Sequence, residues 1–154
     1  MKGDPQVIGG LNEYLSFELT GYKQYLLHGA MCRHWGFSRL AEIQHGYSEE
    51  ETRHSGEIMA RILLLGSTPQ MKDFRPAAEG ATVAEQLEHD RDLVAGAMAH
   101  LRNAIGVCER SQDFVSRDLL AKMLDDEELH LDWLDTQLEL IGKVGLQNYL
   151  QSQF

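Results

Sequence analysis

Two short patterns in the 154-residue sequence place metal-binding side chains together: Glu51-Thr52-Arg53-His54 and Glu127-Glu128-Leu129-His130. Residues three apart on a helix share a face, so each Glu-x-x-His presents a carboxylate and an imidazole side by side. Such oxygen and nitrogen donors suit iron. The flanking apolar residues say which way the pairs face. Leu40, Tyr47, Ile58, Ile62 and Leu65 continue the stripe through Glu51 and His54, and Leu120, Met123, Leu134, Leu138 and Ile141 continue the one through Glu127 and His130. Both pairs point inward, where burying them costs several kcal/mol unless cations offset the charge.

The pairs lie 76 residues apart, from 51 to 127, and the same offset aligns Glu50 with Asp126, Ile58 with Leu134, Ile62 with Leu138 and Gly66 with Gly142. The chain reads as a diverged duplication of a helical hairpin. A third stripe, Val7, Leu11, Tyr14, Glu18, Gly21, Tyr25 and His28, has Glu18 as its central carboxylate, and the offset carries it onto Val83, Leu87, Asp90, Val94, Ala97, Leu101 and Ala104. A symmetric di-iron bundle takes one Glu from each of two helices and a Glu-x-x-His from each of the other two. Five of these six ligands are present, namely Glu18, Glu51, His54, Glu127 and His130, and Val94 stands at the sixth position. Asp90 is one turn away, about 6 Å along the axis, and reaches the site only through water or a helix adjustment. His28, His34, His45, His89 and His100 read as surface or packing residues, and Tyr25 as a core tyrosine.

Four helices are needed to hold these groups. Asp4 before Pro5 opens the first, which runs to Trp35 and breaks at Gly36; Ser38 caps a second, running to about Leu65 with Gly66 as its stop. From Ser67 to Ala81 the periodicity lapses around Pro69, Pro76 and Gly80, a connection long enough to cross the whole bundle. Thr82 with Glu85 forms a capping box that opens the third helix, expected to end near Cys108. Asp113 caps the fourth, expected to end near Gly142, and Leu146, Tyr149 and Leu150 predict a short fifth. The expected fold is a single all-α domain over residues 1–154: four long helices with one crossover.

Composition agrees with that class and narrows the partners. Hydrophobic residues make up 43% and charged residues 25%, with only three prolines, as in a helical globular chain. A net charge of -10 argues against nucleic acid and anionic membrane surfaces and favours cations. Cys32 and Cys108 lack CxxC spacing and read as buried free thiols of a reducing compartment. With no apolar run of spanning length and no basic start leading into one, a cytoplasmic protein is expected.

With Glu18, Glu51, His54, Glu127 and His130 at these spacings, the chain resembles bacterioferritin, a ferritin-like protein, nearly end to end. The likeness takes in the opening Met1-Lys2-Gly3-Asp4, the stretch Tyr22 to Met31, Trp35-Gly36, Ser116-Arg117-Asp118, Asp126-Glu127-Glu128, Trp133-Leu134 and the closing Gly145-Leu146-Gln147-Asn148-Tyr149-Leu150-Gln151. The resemblance implies an iron-storage shell of twenty-four subunits enclosing ferric mineral, each subunit carrying a di-iron ferroxidase site. It would have Glu18 and His54 hold one iron, His130 the other, and Glu51 and Glu127 bridge them, with Tyr25 close by. Two departures matter. Val94 replaces the family's sixth ligand, a glutamate, so ferroxidase activity is expected to be impaired. Thr52 replaces the methionine that the family offers to a haem at a two-fold interface, so haem is not expected in a homo-oligomer. The alternative reading is a ferroxidase-deficient, haem-deficient subunit that co-assembles with a complete bacterioferritin chain.

Overall fold

The computed structural model describes residues 1–72 and 75–154. Helix α1 spans Pro5–His34 and starts where Asp4 accepts the Gln6 N–H at 2.7 Å. Gly36, at φ +91°, turns the chain, and the following Phe37 N–H reaches back to Cys32 O at 2.9 Å. Helix α2 spans Ser38–Leu64, and its cap is Phe37, not the expected Ser38. The turn is too tight for a separate capping residue: the Phe37 N–H closes α1 while its carbonyl accepts the Ala41 N–H and opens α2.

Helix α3 spans Val83–Arg110, two residues beyond the expected Cys108. Its capping box forms with a shift: Thr82 Oγ1 accepts the Glu85 N–H at 3.1 Å, and the Glu85 carboxylate accepts from Ala81, one residue before the cap, at 2.7 Å. Helix α4 spans Phe114–Val144, opened by Asp113 Oδ1, which accepts the Ser116 N–H at 2.9 Å and an Arg61 guanidinium N–H at 2.8 Å. It runs past Gly142 because the left-handed turn falls at Gly145, φ +83°, whose N–H bonds to Ile141 O at 2.9 Å. The short α5, Leu146–Leu150, buries Tyr149, whose hydroxyl donates to Gln137 at 2.7 Å.

Helices α1 and α2 pair, α3 and α4 pair, and the two hairpins meet through α1 and α3. The crossover between them is fastened to α1: the Gln70 N–H donates to Asn12, Lys23 donates to Arg75 O, and the Arg75 guanidinium lies 3.8 Å over the Phe17 ring. The apolar core falls into two clusters. One holds Leu11, Tyr14, Leu15, Ile58, Ile62, Ala97, Leu101, Leu120 and Met123; the other holds Cys32, Leu40, Val83, Leu87, Val94, Met98 and Leu134. Along α1, α2 and α4 the clusters are separated by Glu18, by Glu51 and His54, and by Glu127 and His130. On α3 nothing ionisable intervenes, for Val94 belongs to one cluster and Ala97 to the other. The two thiols are free and buried, as expected, and burial pushes each up to about 11.

Candidate metal centre

Each expected ligand projects from the middle of a long helix, where the apolar layers above and below fix its direction. All five are buried, none more than 4% exposed. Four of them converge. Glu18, Glu51, His54 and Glu127 each offer one donor atom, and these atoms all lie within 4.8 Å of one another. Space for the group depends on Gly21, where a Cβ would come within 3.0 Å of Glu51 Oε2.

Three carboxyl groups this close cannot all be charged without a cation. Burial pushes Glu51 and Glu127 well above the usual carboxylate range, and the Glu18 charge and hydrogen bonds to Glu18 push them further. Tyr14 donates its hydroxyl to Glu127 Oε1 at 3.3 Å. His54 sits between acids on both sides, with Nδ1 3.0 Å from Glu18 Oε2 and Nε2 2.9 Å from Asp126 Oδ2. Burial opposes its protonation, but the bonds to Glu18 and Asp126 outweigh burial and raise it. A cation bound among these groups would compete with their protons. Glu18 Oε1 remains buried with no hydrogen-bond partner, the position of a lone pair left for a ligand.

His54 also connects the centre to solvent. Glu50 and Asp126, both part-exposed, join His54 in a second group of potential ligands, and a cleft of about 10 Å³ between Arg53, Glu57, Lys122 and Asp126 reaches the imidazole. That volume holds about one water. The larger hollows lie elsewhere, as does the one of about 330 Å³ bounded by Asn12, Glu13, Gln70 and Arg75.

His130 is not a member of that four-donor group. Its ring lies face to face on Tyr47, with centroids 3.5 Å apart and planes 13° from parallel, and edge-on to Tyr25 at 5.2 Å. Burial lowers its pKa to about 4, so the imidazole is neutral, and its Nε2 has no partner. Val94 on α3, 1% exposed, packs in the apolar cluster with Leu87, Met98 and Leu134.

Asp90 does not supply the missing carboxylate. Its Oδ1 accepts from Gln24 Nε2 at 2.8 Å and lies 2.9 Å from His28 Nδ1, while Oδ2 accepts from Gln44 Nε2 at 2.8 Å. Both oxygens are therefore engaged. Burial disfavours the charged form of His28, but Asp90 prevails and raises it; His28 Nε2 then donates to Ala78 O at 2.7 Å in the crossover. His28 is thus more than a packing residue: it joins Asp90 in a fully buried ion pair. Both residues stood on inward stripes, which was the available signal; the offset of 76 compared the stripes without pairing them across the bundle.

A ferritin-like domain matches residues 8–144. The chain is 47% identical over 156 residues to a protein of Pseudomonas aeruginosa described as bacterial ferritin, covering 99% of each chain. A bacterial ferritin of Synechocystis is 45% identical, again over 99% of each, and a bacterioferritin of Mycobacterium leprae is 42% identical over 97% of this chain and 94% of its own. Helix order, buried carboxylate and histidine layer and near full-length similarity agree, and the chain belongs to the ferritin-like family as a homologue of the bacterial ferritins and bacterioferritins.

Proposed function

We propose that this chain is an iron-storage subunit of a bacterioferritin-like shell, taking Fe(II) at an incomplete di-iron site in which Glu18, Glu51, His54 and Glu127 hold one iron. The carrying observation is the convergence of those four donors within 4.8 Å while a buried valine stands at position 94. Fe(II) is here the substrate. Glu18 from α1, Glu51 and His54 from α2 and Glu127 from α4 would ligate it, and Asp126 orients the His54 ring from behind as a hydrogen-bonding carboxylate. In a complete site Glu51 and Glu127 would bridge to a second iron on His130. Here that iron would have no terminal carboxylate.

Reduction of O2 to peroxide takes two electrons and each Fe(II) gives one, so a subunit that retains a single iron oxidises it slowly. The mineral then grows within a shell of twenty-four cytoplasmic subunits. Thr52 is exposed, and its hydroxyl donates to Ser48 O at 3.1 Å, so it offers haem iron no thioether, and a homo-oligomer carries no haem. The same two substitutions, at positions 52 and 94, favour a second reading in which the chain dilutes or completes a shell built with a fully equipped bacterioferritin subunit. Anaerobic Fe(II) titration of the assembled protein, followed by oxygen, tests the first reading. One iron per chain with slow oxidation is expected; two irons per chain with a fast oxidation burst would overturn it.

A further inference from the structure

Ala78, in the crossover, is held by both of its backbone groups. Its carbonyl lies 2.7 Å from His28 Nε2, and its N–H donates to Gln24 Oε1 at 3.0 Å. Both side chains come from α1, and both run on to one carboxylate: Gln24 Nε2 donates to Asp90 Oδ1 at 2.8 Å, and His28 Nδ1 lies 2.9 Å from the same oxygen. Asp90 on α3 therefore stands behind the whole clamp. Gln44 steadies it from α2, its Nε2 donating to Oδ2 at 2.8 Å.

The clamp needs a proton. A carboxylate and a peptide carbonyl only accept, so an imidazole placed between them satisfies both when each ring nitrogen carries a hydrogen. The side chains of His28 and Asp90 are fully buried, so no solvent replaces a bond that is lost. On losing one proton the ring keeps a single N–H, and the bond to the charged oxygen is the stronger of the two. The neutral ring stays with Asp90 and leaves a bare Nε2 against the Ala78 carbonyl.

We infer that His28 is the latch of a pH-sensitive strap: its protonated ring fastens the crossover at Ala78, and loss of that proton releases the segment before Thr82. The far end stays pinned to α1, where the Gln70 N–H donates to Asn12 at 2.8 Å.

The other groups that feel the charge of Asp90 titrate elsewhere. On α1, burial and the neighbouring carboxylates hold Tyr25 well above the ordinary phenol range, and burial with Asp90 pushes Cys32 up to about 11. On α4, burial lowers His130 to about 4. Facing His28 directly are Asp90 from α3 and the backbone carbonyls of Ala78 and Glu79 from the crossover, while α2 contributes the neutral Gln44 behind Asp90. Burial opposes the His28 charge, but Asp90 and the two carbonyls outweigh it and raise the ring above the usual histidine range. The window in which this cluster changes charge, between about pH 6.5 and 10, belongs to His28.

Hydrogen exchange read by mass spectrometry on the assembled protein tests the latch, because the Ala78 N–H lies in the clamp and the Gln70 N–H reports the far end. With rates corrected for intrinsic exchange, protection at Ala78 is expected to fall about tenfold across that window, as for the loss of one hydrogen bond, while Gln70 keeps its protection. Unchanged protection at Ala78, or an equal loss at both amides, would overturn the inference. Asp90→Asn keeps the shape and removes the charge, so it is expected to move the loss to lower pH; an unmoved midpoint counts against the latch. His28→Gln has no proton to lose in this range and is expected to show no pH dependence at Ala78, so a dependence that survives there would sink the proposal. If either variant does not fold, the comparison of the two amides in native protein decides alone.

Discussion

At the scale of single residues, the centre is a set of buried acids whose charges oppose one another. The consequence is a pH dependence with a definite sign. Glu51, Glu127 and His54 all have raised pKa values in the fold, so the folded chain holds protons that the unfolded chain releases. By linkage their contribution is greatest at low pH and is lost as pH rises through their folded values. His130 runs the other way, its pKa lowered to about 4, so its contribution falls as pH drops from about 6.5 toward 4. Above about pH 6.5 His130 is neutral in both states and the raised groups alone decide. The melting temperature of the metal-free protein is therefore expected to fall between pH 6.5 and 8, and the stabilisation gained from a bound divalent cation to grow over the same window, because the ion replaces the departing protons. Calorimetric melts with and without Co(II) check this; a cation increment that shrinks with pH would contradict it.

At the scale of helices, the buried His28–Asp90 pair ties the bundle together. It links α1 to α3, draws in α2 through Gln44, and holds the crossover through Ala78, whose carbonyl accepts from His28 and whose N–H donates to Gln24 at 3.0 Å. Removing one partner leaves the other charge buried and alone, a loss on the order of 3–5 kcal/mol. His28→Ala is expected to lose about that much in denaturant unfolding, provided unfolding is two-state; a loss below about 1 kcal/mol would show that the pair carries little. Most of the helical frame was legible in the sequence because Asp4, Thr82 and Asp113 cap by local hydrogen bonds that depend on near neighbours alone. The misplaced limits have equally local causes: Phe37 serves two helices at once, and Gly142 lies in α4 while Gly145 takes the turn. The burial of the five candidate ligands and the convergence of four of them were legible from spacing and apolar stripes. What spacing could not convey was the rotation of a ring about its own side-chain bonds, hence the Tyr47–His130 stack, or the pairing of Asp90 with a helix far away in sequence.

At the scale of the whole molecule, the proposed reading turns on Thr52 and Val94, which would set what a shell of this chain does. A homo-oligomer purified from cells is expected to show no haem Soret band, and a strong one would contradict the argument from Thr52. Among the described residues no helix is long and apolar enough to cross a membrane, and the net charge of -10 fits a protein whose cargo is cationic. On the proposed function each chain holds one iron, not two. The most direct measurement of this is a crystal structure of the assembled protein soaked anaerobically in Fe(II), with iron located by anomalous scattering. A single iron among Glu18, Glu51, His54 and Glu127 is expected, with His130 still stacked on Tyr47; a second iron bound to His130 would contradict the single-iron reading.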